Sequence, residues 1–256
     1  MDSLYTRLAS EWDNLFPPDL ERLAFLDRTA QSLAPEARIT EVGCGSGATA
    51  VGLAELGSAV AASDLDADMI AVAGNTAGEL LEESDLSDAS HPRPGRVSFR
   101  VADMIGALES EESEAANLVL CLGNTLPHLT EGPLVARFFD AAFAHTSPGG
   151  QFIIQILNYE KIRALKSLVL PELVSGDLTF RRRQDFDERT GLVEFSTEVE
   201  MDGRVERRTH KLNPLESGDV NEYAHQSGYE PAACYEDWSN TLSSGDSPWF
   251  ALVYSR

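Results

Sequence analysis

Lysine is nearly missing from this 256-residue chain. Lys161, Lys166 and Lys211 are its only three, and 20 basic residues face 42 acidic ones, a formal net charge of −22. So acidic a chain offers no broad basic surface for a phosphate backbone or an anionic bilayer, both of which are held by clusters of Lys and Arg. Nucleic-acid and membrane partners are therefore not expected. Cysteine is as scarce. Cys44, Cys121 and Cys234 are odd in number and far apart, which gives neither a disulfide framework nor a CxxC metal pair and suits a reducing cytoplasm. No metal centre is expected. Long apolar runs are lacking as well: no stretch approaches bilayer-spanning length, and the acidic start Met1-Asp2-Ser3-Leu4 is unlike a signal peptide. An acidic excess with little lysine suits a halophilic protein, because concentrated salt screens carboxylate repulsion.

What the chain does contain, at 43% hydrophobic residues, is enough apolar surface for one substantial domain. Leu4, Leu8, Trp12, Leu15, Leu20, Leu23 and Leu26 recur at helical spacing on either side of Pro17-Pro18, which predicts a helical N-terminal cap over residues 1–36. A strand (Arg38 to Val42), a glycine-rich turn, a helix (Ala48 to Leu56) and a second strand (Ala59 to Ser63) follow. The alternation continues with a helix to about Glu83, an exposed polar loop, strands Val97 to Ala102, Leu118 to Leu122 and Gln151 to Leu157, and a helix Pro133 to His145. Pro148-Gly149-Gly150 is read as the turn before the last strand. Such βαβ alternation predicts a doubly wound parallel sheet. Residues 178–212 change character: Leu178 to Gln184, Leu192 to Glu200 and Val205 to Leu212 read as an antiparallel meander. A helix (Asp219 to Gln226) and strands Glu230 to Tyr235 and Trp249 to Tyr254 close the chain.

The turn "VGCGSGA" places Gly43, Gly45 and Gly47 directly after a strand. Without Cβ atoms a backbone can approach a ligand closely, beside a helix N-terminus. Gly43-x-Gly45-x-x-Ala48 also satisfies the dinucleotide pattern, so taken alone it fits a nicotinamide oxidoreductase as well. Acids stand at successive strand ends: Glu41 just before the first glycine, Asp64 about 20 residues beyond the turn, where a carboxylate can accept ribose hydroxyls, and Asp103 in "VADM". The fourth strand ends in Leu122-Gly123-Asn124. Ligands of open α/β sheets bind at this carboxyl edge.

With "EVGCGSGA" (41–48), "ASDLDADMI" (62–70), "VADM" (101–104), "CLGNTLPHL" (121–129) and "SPGGQFIIQ" (147–155) in that order, the sequence resembles the class I S-adenosylmethionine-dependent methyltransferases over about residues 38–158. The resemblance implies a Rossmann-like, seven-stranded α/β sheet, with residues 37–158 as the cofactor-binding core and the antiparallel β insertion over the acceptor site. It implies S-adenosyl-L-methionine as cofactor. Gly43, Gly45 and Gly47 would lie against its methionine moiety, Asp64 would hold the ribose, and Asp103 with Met104 would face the adenine. Glu41, Cys44, Leu65, Met69, Leu122, Gly123 and Asn124 complete the implied contacts. A nicotinamide enzyme has no standing need for Glu41 or Asp103; a binding protein without turnover is the other alternative.

"CLGNTLPHL" and "NYEKI" (158–162) look, more narrowly, like the branch holding glycine and sarcosine N-methyltransferases. Those enzymes carry an Arg before the Asn-Tyr pair to grip a carboxylate, and this chain has Leu157 there, which speaks against glycine as substrate. The expected reaction is methylation of a small molecule, with nitrogen slightly ahead of oxygen as the acceptor atom. His128, Tyr159 and Asn158 are the candidate catalytic residues, with Asn124 beside them; His128 is the candidate base. Tyr5 and Trp12 are read either as core residues or as a cover over the pocket. The run Arg181-Arg182-Arg183 alternates faces on a strand. It either sends one or two arginines toward an anionic acceptor or forms a solvated face paired with Asp185, Glu198 or Glu200.

Overall fold

The computed structural model describes residues 4–84, 95–110 and 114–256. The polar loop expected over 83–95 lies largely outside them. Strand β1 (Arg38–Val42) pairs in parallel with β2 (Ala59–Asp64) on one side and β4 (Ala116–Cys121) on the other. β3 (Arg96–Val101) extends the sheet beyond β2, and β5 (Thr146–Leu157) runs parallel to β4. The antiparallel strands β12 (Trp249–Ser255) and β11 (Glu230–Tyr235) complete the order β11-β12-β5-β4-β1-β2-β3. The order reverses between β1 and β4, which opens a crevice at their carboxyl ends.

Side-chain alternation builds a core on each face. Leu118 and Leu120 of β4 pack with Phe25, Leu26 and Ala30 of α3 (Leu20–Leu33) and Leu53 of α4 (Ala48–Glu55). Val119 and Cys121 face the other way, onto Phe138, Phe139 and Ala142 of α7 (Gly132–His145) and Val220 of α9 (Ser217–Ser227). A buried hydrogen bond of 2.9 Å between Thr40 Oγ1 and His145 Nε2 fixes α7 against β1. Among the described residues no helix is long and apolar enough to cross a membrane, and no group of three His, Cys, Asp or Glu is placed to hold a metal.

Two differences from expectation have local causes. A short helix α6 (Met104–Glu109) follows β3, started by Asp103, whose carboxylate caps it. The expected turn Pro148-Gly149-Gly150 instead lies within β5. The pairing register shifts there, as a bulge permits, and a Cβ on Gly150 would come within 2.7 Å of the Asn117 carbonyl.

The second sheet is larger than the meander expected. β8 (Leu178–Asp187), β9 (Leu192–Met201) and β10 (Arg204–Leu212) are joined by the short strands β6 (Ser167–Val169) and β7 (Leu173–Ser175), both on β8. Its inner face is packed at both ends. Leu178, Phe180, Val199 and Met201 meet Leu4, Leu8 and Leu15 of the helices α1 (Leu4–Ser10) and α2 (Trp12–Leu15). Val193 and Leu212 meet Tyr159 and Ile162 of α8 (Tyr159–Leu165).

Candidate active site

The turn after β1 has left-handed backbone at all three glycines, with φ +71° at Gly43, +57° at Gly45 and +80° at Gly47. Their reasons differ. A Cβ on Gly43 would lie 2.3 Å from Thr125 Cγ2, and one on Gly47 2.7 Å from Phe99 Cε1, so these two are demanded by internal packing. A Cβ on Gly45 would find only Trp12 Nε1, at 3.9 Å: here the missing side chain leaves open space. The N–H groups of Gly43 and Cys44 donate to the Ser63 carbonyl at 2.8 and 3.0 Å. The Gly45 N–H donates to Asp64 Oδ2 at 2.8 Å, and the Asp66 N–H to Asp64 Oδ1 at 2.9 Å. Asp64 thus ties the turn to β2 while each oxygen retains capacity for a further donor.

Behind the turn, Glu41 is 3% exposed and its Oε2 has no hydrogen-bond partner among the described residues. Burial drives its carboxyl up to about 7; the nearby Arg22 opposes this and Asp64 adds to it. Burial also raises the Cys44 thiol, with Glu41 and Asp64 adding to the effect, so Cys44 is a protonated turn residue and no nucleophile.

Asp103 stands at the end of β3, where its Oδ1 accepts the N–H groups of Ile105 and Gly106 at 3.0 and 2.9 Å. Met104 packs half-buried against the core, Leu65 is 73% exposed and Met69 half-buried. After β4, Leu122 is buried, and Gly123 and Asn124 are both left-handed at φ +64° and +66°. Asn124 is held on both sides: its Oδ1 accepts the Leu157 N–H at 3.0 Å, and its Nδ2 donates to Tyr159 Oη at 2.9 Å. The Gly123 N–H donates to Gln155 Oε1 at 3.1 Å, a contact that nothing in the sequence pattern marked.

Of the three candidate catalytic residues, two border this edge. Tyr159 is 1% exposed, and burial raises its hydroxyl, with the Asn124 hydrogen bond opposing. His128 ends a 3-10 turn (Leu126–His128) and sets its ring edge-on to His210 of β10, with centroids 6.1 Å apart. Although its ring reaches solvent, desolvation by the surrounding protein and repulsion from His210 hold its pKa below the ordinary value, with Asp64 opposing. Asn158 is otherwise engaged. Its Oδ1 caps α8 through the Lys161 N–H at 3.3 Å, and its Nδ2 donates to the Ser247 carbonyl at 2.9 Å. His210 was not marked by sequence; the one available signal was its alternation with buried Leu212 on β10.

The cap bridges turn and meander. Trp12 lies 4.5 Å from Phe16 and 6.3 Å from Phe180 between ring centroids, and Tyr5 Oη hydrogen-bonds Thr197 Oγ1 at 2.6 Å. The arginine run divides as strand alternation requires. Arg181 pairs with Glu172, Glu198 and Glu200, and Arg183 with Asp185, on the outer face. Arg182 turns inward over the rings of Phe16 and Phe180 at 5.0 and 5.5 Å.

The Methyltransferase domain family matches residues 39–150. No curated protein matches the sequence. Among solved structures, an S-adenosylmethionine-dependent methyltransferase from Clostridium acetobutylicum ATCC 824 superposes with a TM-score of 0.75 at 16% identity, covering 99% of each chain. The CcbJ methyltransferase of Streptomyces caelestis gives 0.75 at 20% identity, covering 93% of this chain and 89% of its own. CalS10 of Micromonospora echinaspora, an amino pentose methyltransferase solved with S-adenosylmethionine bound, gives 0.66 at 16% identity, covering 100% and 98%. At such identities the likeness is one of fold. The residues present fit the cofactor: open space at Gly45 and Gly123, where an added Cβ would meet no atom within 4 Å at the latter, and a strand-end carboxylate, Asp64, hydrogen-bonded to the Gly45 N–H. Residues 39–150 match a methyltransferase domain, which supports an enzyme that uses S-adenosyl-L-methionine, and the chain as a whole has the fold of such methyltransferases.

Proposed function

We propose that the enzyme methylates an amine nitrogen of a small molecule bound between the carboxyl edge of the seven-stranded sheet and the inner face of the antiparallel sheet. Bound S-adenosylmethionine supplies an electrophilic methyl group on a sulfonium. The glycine turn with Glu41 and Cys44 takes the methionine end, Asp64 the ribose, and Asp103 and Met104, with Leu65 and Met69, the adenine end. Leu122, Gly123 and Asn124 form the opposite wall. The observation that carries the choice of nitrogen is His128. Its imidazole, held below its ordinary pKa by desolvation and by His210, is neutral at neutral pH and can take the proton an amine must lose before it attacks. The Asn124 and Tyr159 pair orients the acceptor, and Asn158 holds α8 in place beneath it. Leu157 supplies no carboxylate clamp, which speaks against a glycine-like acceptor. The acidic, lysine-poor surface supports action in a salt-rich cytoplasm.

Labelled methyl transfer into a panel of small amines and alcohols tests this reading. Labelled N-methyl product is expected, and His128→Asn is expected to lower kcat about 10²- to 10⁴-fold. Label appearing only on oxygen, or an unchanged rate in His128→Asn, contradicts the reading; no label in any acceptor points to a binder without turnover.

A further inference from the structure

The inner face of the antiparallel sheet carries a polar band that the cap engages only in part, Arg182 lying over Phe16 and Phe180 and Arg208 over Tyr5. The two ends of this face are apolar and covered, one by α1 and α2, the other by α8. Between them the register sets a polar band: Arg182 lies opposite Thr197, Gln184 opposite Phe195, and Arg208 and His210 occupy the same rows on β10. A sheet face serving only to cover the core would carry apolar side chains throughout.

Within the band two polar atoms are stranded. Gln184 is 2% exposed, yet its Oε1 is buried with no hydrogen-bond partner among the described residues. Arg182 Nε is likewise buried and unpartnered, although the same guanidinium donates to the Pro171 carbonyl through Nη2 at 3.1 Å. Buried polar groups are almost always paired, and each exception needs an explanation. The two residues alternate on one strand, so they share a face roughly 7 Å apart. That spacing fits two oxygens of one ring-sized molecule better than a single atom.

We infer that Gln184 and Arg182 form the recognition subsite for the methyl acceptor, and that the acceptor is a polyhydroxylated amine of the amino-sugar class. Gln184 Oε1 accepts from one hydroxyl, and Arg182 Nε donates to a second oxygen. Both stranded atoms are thereby satisfied, while the amine projects toward His128. The inference rests on the proposed amine acceptor.

The test uses the full chain saturated with S-adenosylhomocysteine. A panel of monosaccharide amines, and cyclohexylamine as the deoxygenated control, is titrated by calorimetry. The same amines are then assayed by labelled methyl transfer. Gln184→Met keeps the shape and removes the amide; Arg182→Lys keeps the charge over the rings and removes Nε. Gln184→Met is expected to melt at or above the wild-type temperature, whereas Arg182→Lys also loses the Pro171 contact and its melting temperature is not diagnostic. Each variant is expected to weaken sugar-amine binding about tenfold and to raise KM for the sugar amine while leaving kcat near wild type. The cyclohexylamine KM should not move. A fall of several degrees in the Gln184→Met melting temperature would mean that the amide serves the fold, and would overturn the proposal. So would equal effects on sugar and control amines, or no binding by any sugar amine in the panel. Tight, Gln184-dependent binding of a sugar amine with label transferred to oxygen would leave this subsite standing and overturn the nitrogen reading alone.

Discussion

Glu41→Gln is expected to stabilise the protein above about pH 4.5, by an amount that grows until about pH 7 and is constant beyond it. Burial moves the Glu41 carboxyl from 4.5 to about 7, a shift equivalent to roughly 3 kcal/mol at 1.36 kcal/mol per pH unit. The folded chain therefore binds a proton between these two values that the unfolded chain has released. Stability associated with this group is full below pH 4.5 and is lost as pH rises through about 7. Half-buried carboxylates held low by hydrogen bonds, such as Glu198 with Arg181 and Asp187 with Thr190, act in the opposite sense at acid pH. The difference between wild type and variant removes their contribution. Gln has nearly the same shape and never ionises, so thermal unfolding of the two proteins should coincide at about pH 4, below the unfolded-state value of 4.5. At pH 8.5 the variant should melt about 6 to 12 °C higher, since 1 kcal/mol is worth about 2 to 4 °C in a chain of this size. A variant less stable than wild type at pH 8.5 would refute the reasoning, because it would mean that attraction to Arg22 outweighs the cost of burying the charge. A difference independent of pH would refute it too.

The two kinds of glycine should separate on substitution. Gly47→Ala, whose Cβ would sit 2.7 Å from Phe99 Cε1 at φ +80°, is expected to cost about 1 to 3 kcal/mol in denaturant unfolding. Gly45→Ala is expected to cost about 1 kcal/mol while weakening S-adenosylhomocysteine binding more than Gly47→Ala does. Arg181→Ala, which removes the shared partner of Glu172, Glu198 and Glu200 on the outer face, should lower the melting temperature slightly and leave methyl transfer unchanged. The melting temperature should rise between low and molar KCl as carboxylate repulsion is screened; equal values would contradict a salt-adapted surface.

Much of the fold was legible because local signals agreed. β1 and β11 match their expected bounds, each an apolar or small-residue run closed by a turn or a glycine. β6 and β7, three residues each, carry no period to read, and α6 owes its start to a cap from Asp103, a residue singled out for the cofactor instead. The grouping of residues proposed for the donor was legible for the same reason as the strands: glycines and acids stand at strand ends, and the switch point follows from the order of elements. The acceptor half was not. An Asn before a helix reads equally as a cap or a site amide, and Asn158 is a cap in its hydrogen bonding. His210 and Gln184 gain meaning only from the register of β8, β9 and β10, which sets which side chains share a face and which neighbours they lack.

The central claim, a glycine cradle and a strand-end carboxylate that hold S-adenosylmethionine, is tested most directly by calorimetric titration of wild type and Asp64→Asn with S-adenosylhomocysteine and with NAD. Asn keeps an acceptor for the Gly45 N–H but loses the charge. The expected result is tight binding of S-adenosylhomocysteine, none of NAD, and a loss of about 1.5 to 3 kcal/mol in the variant. Binding of NAD, or an affinity for S-adenosylhomocysteine unchanged by the substitution, would contradict it.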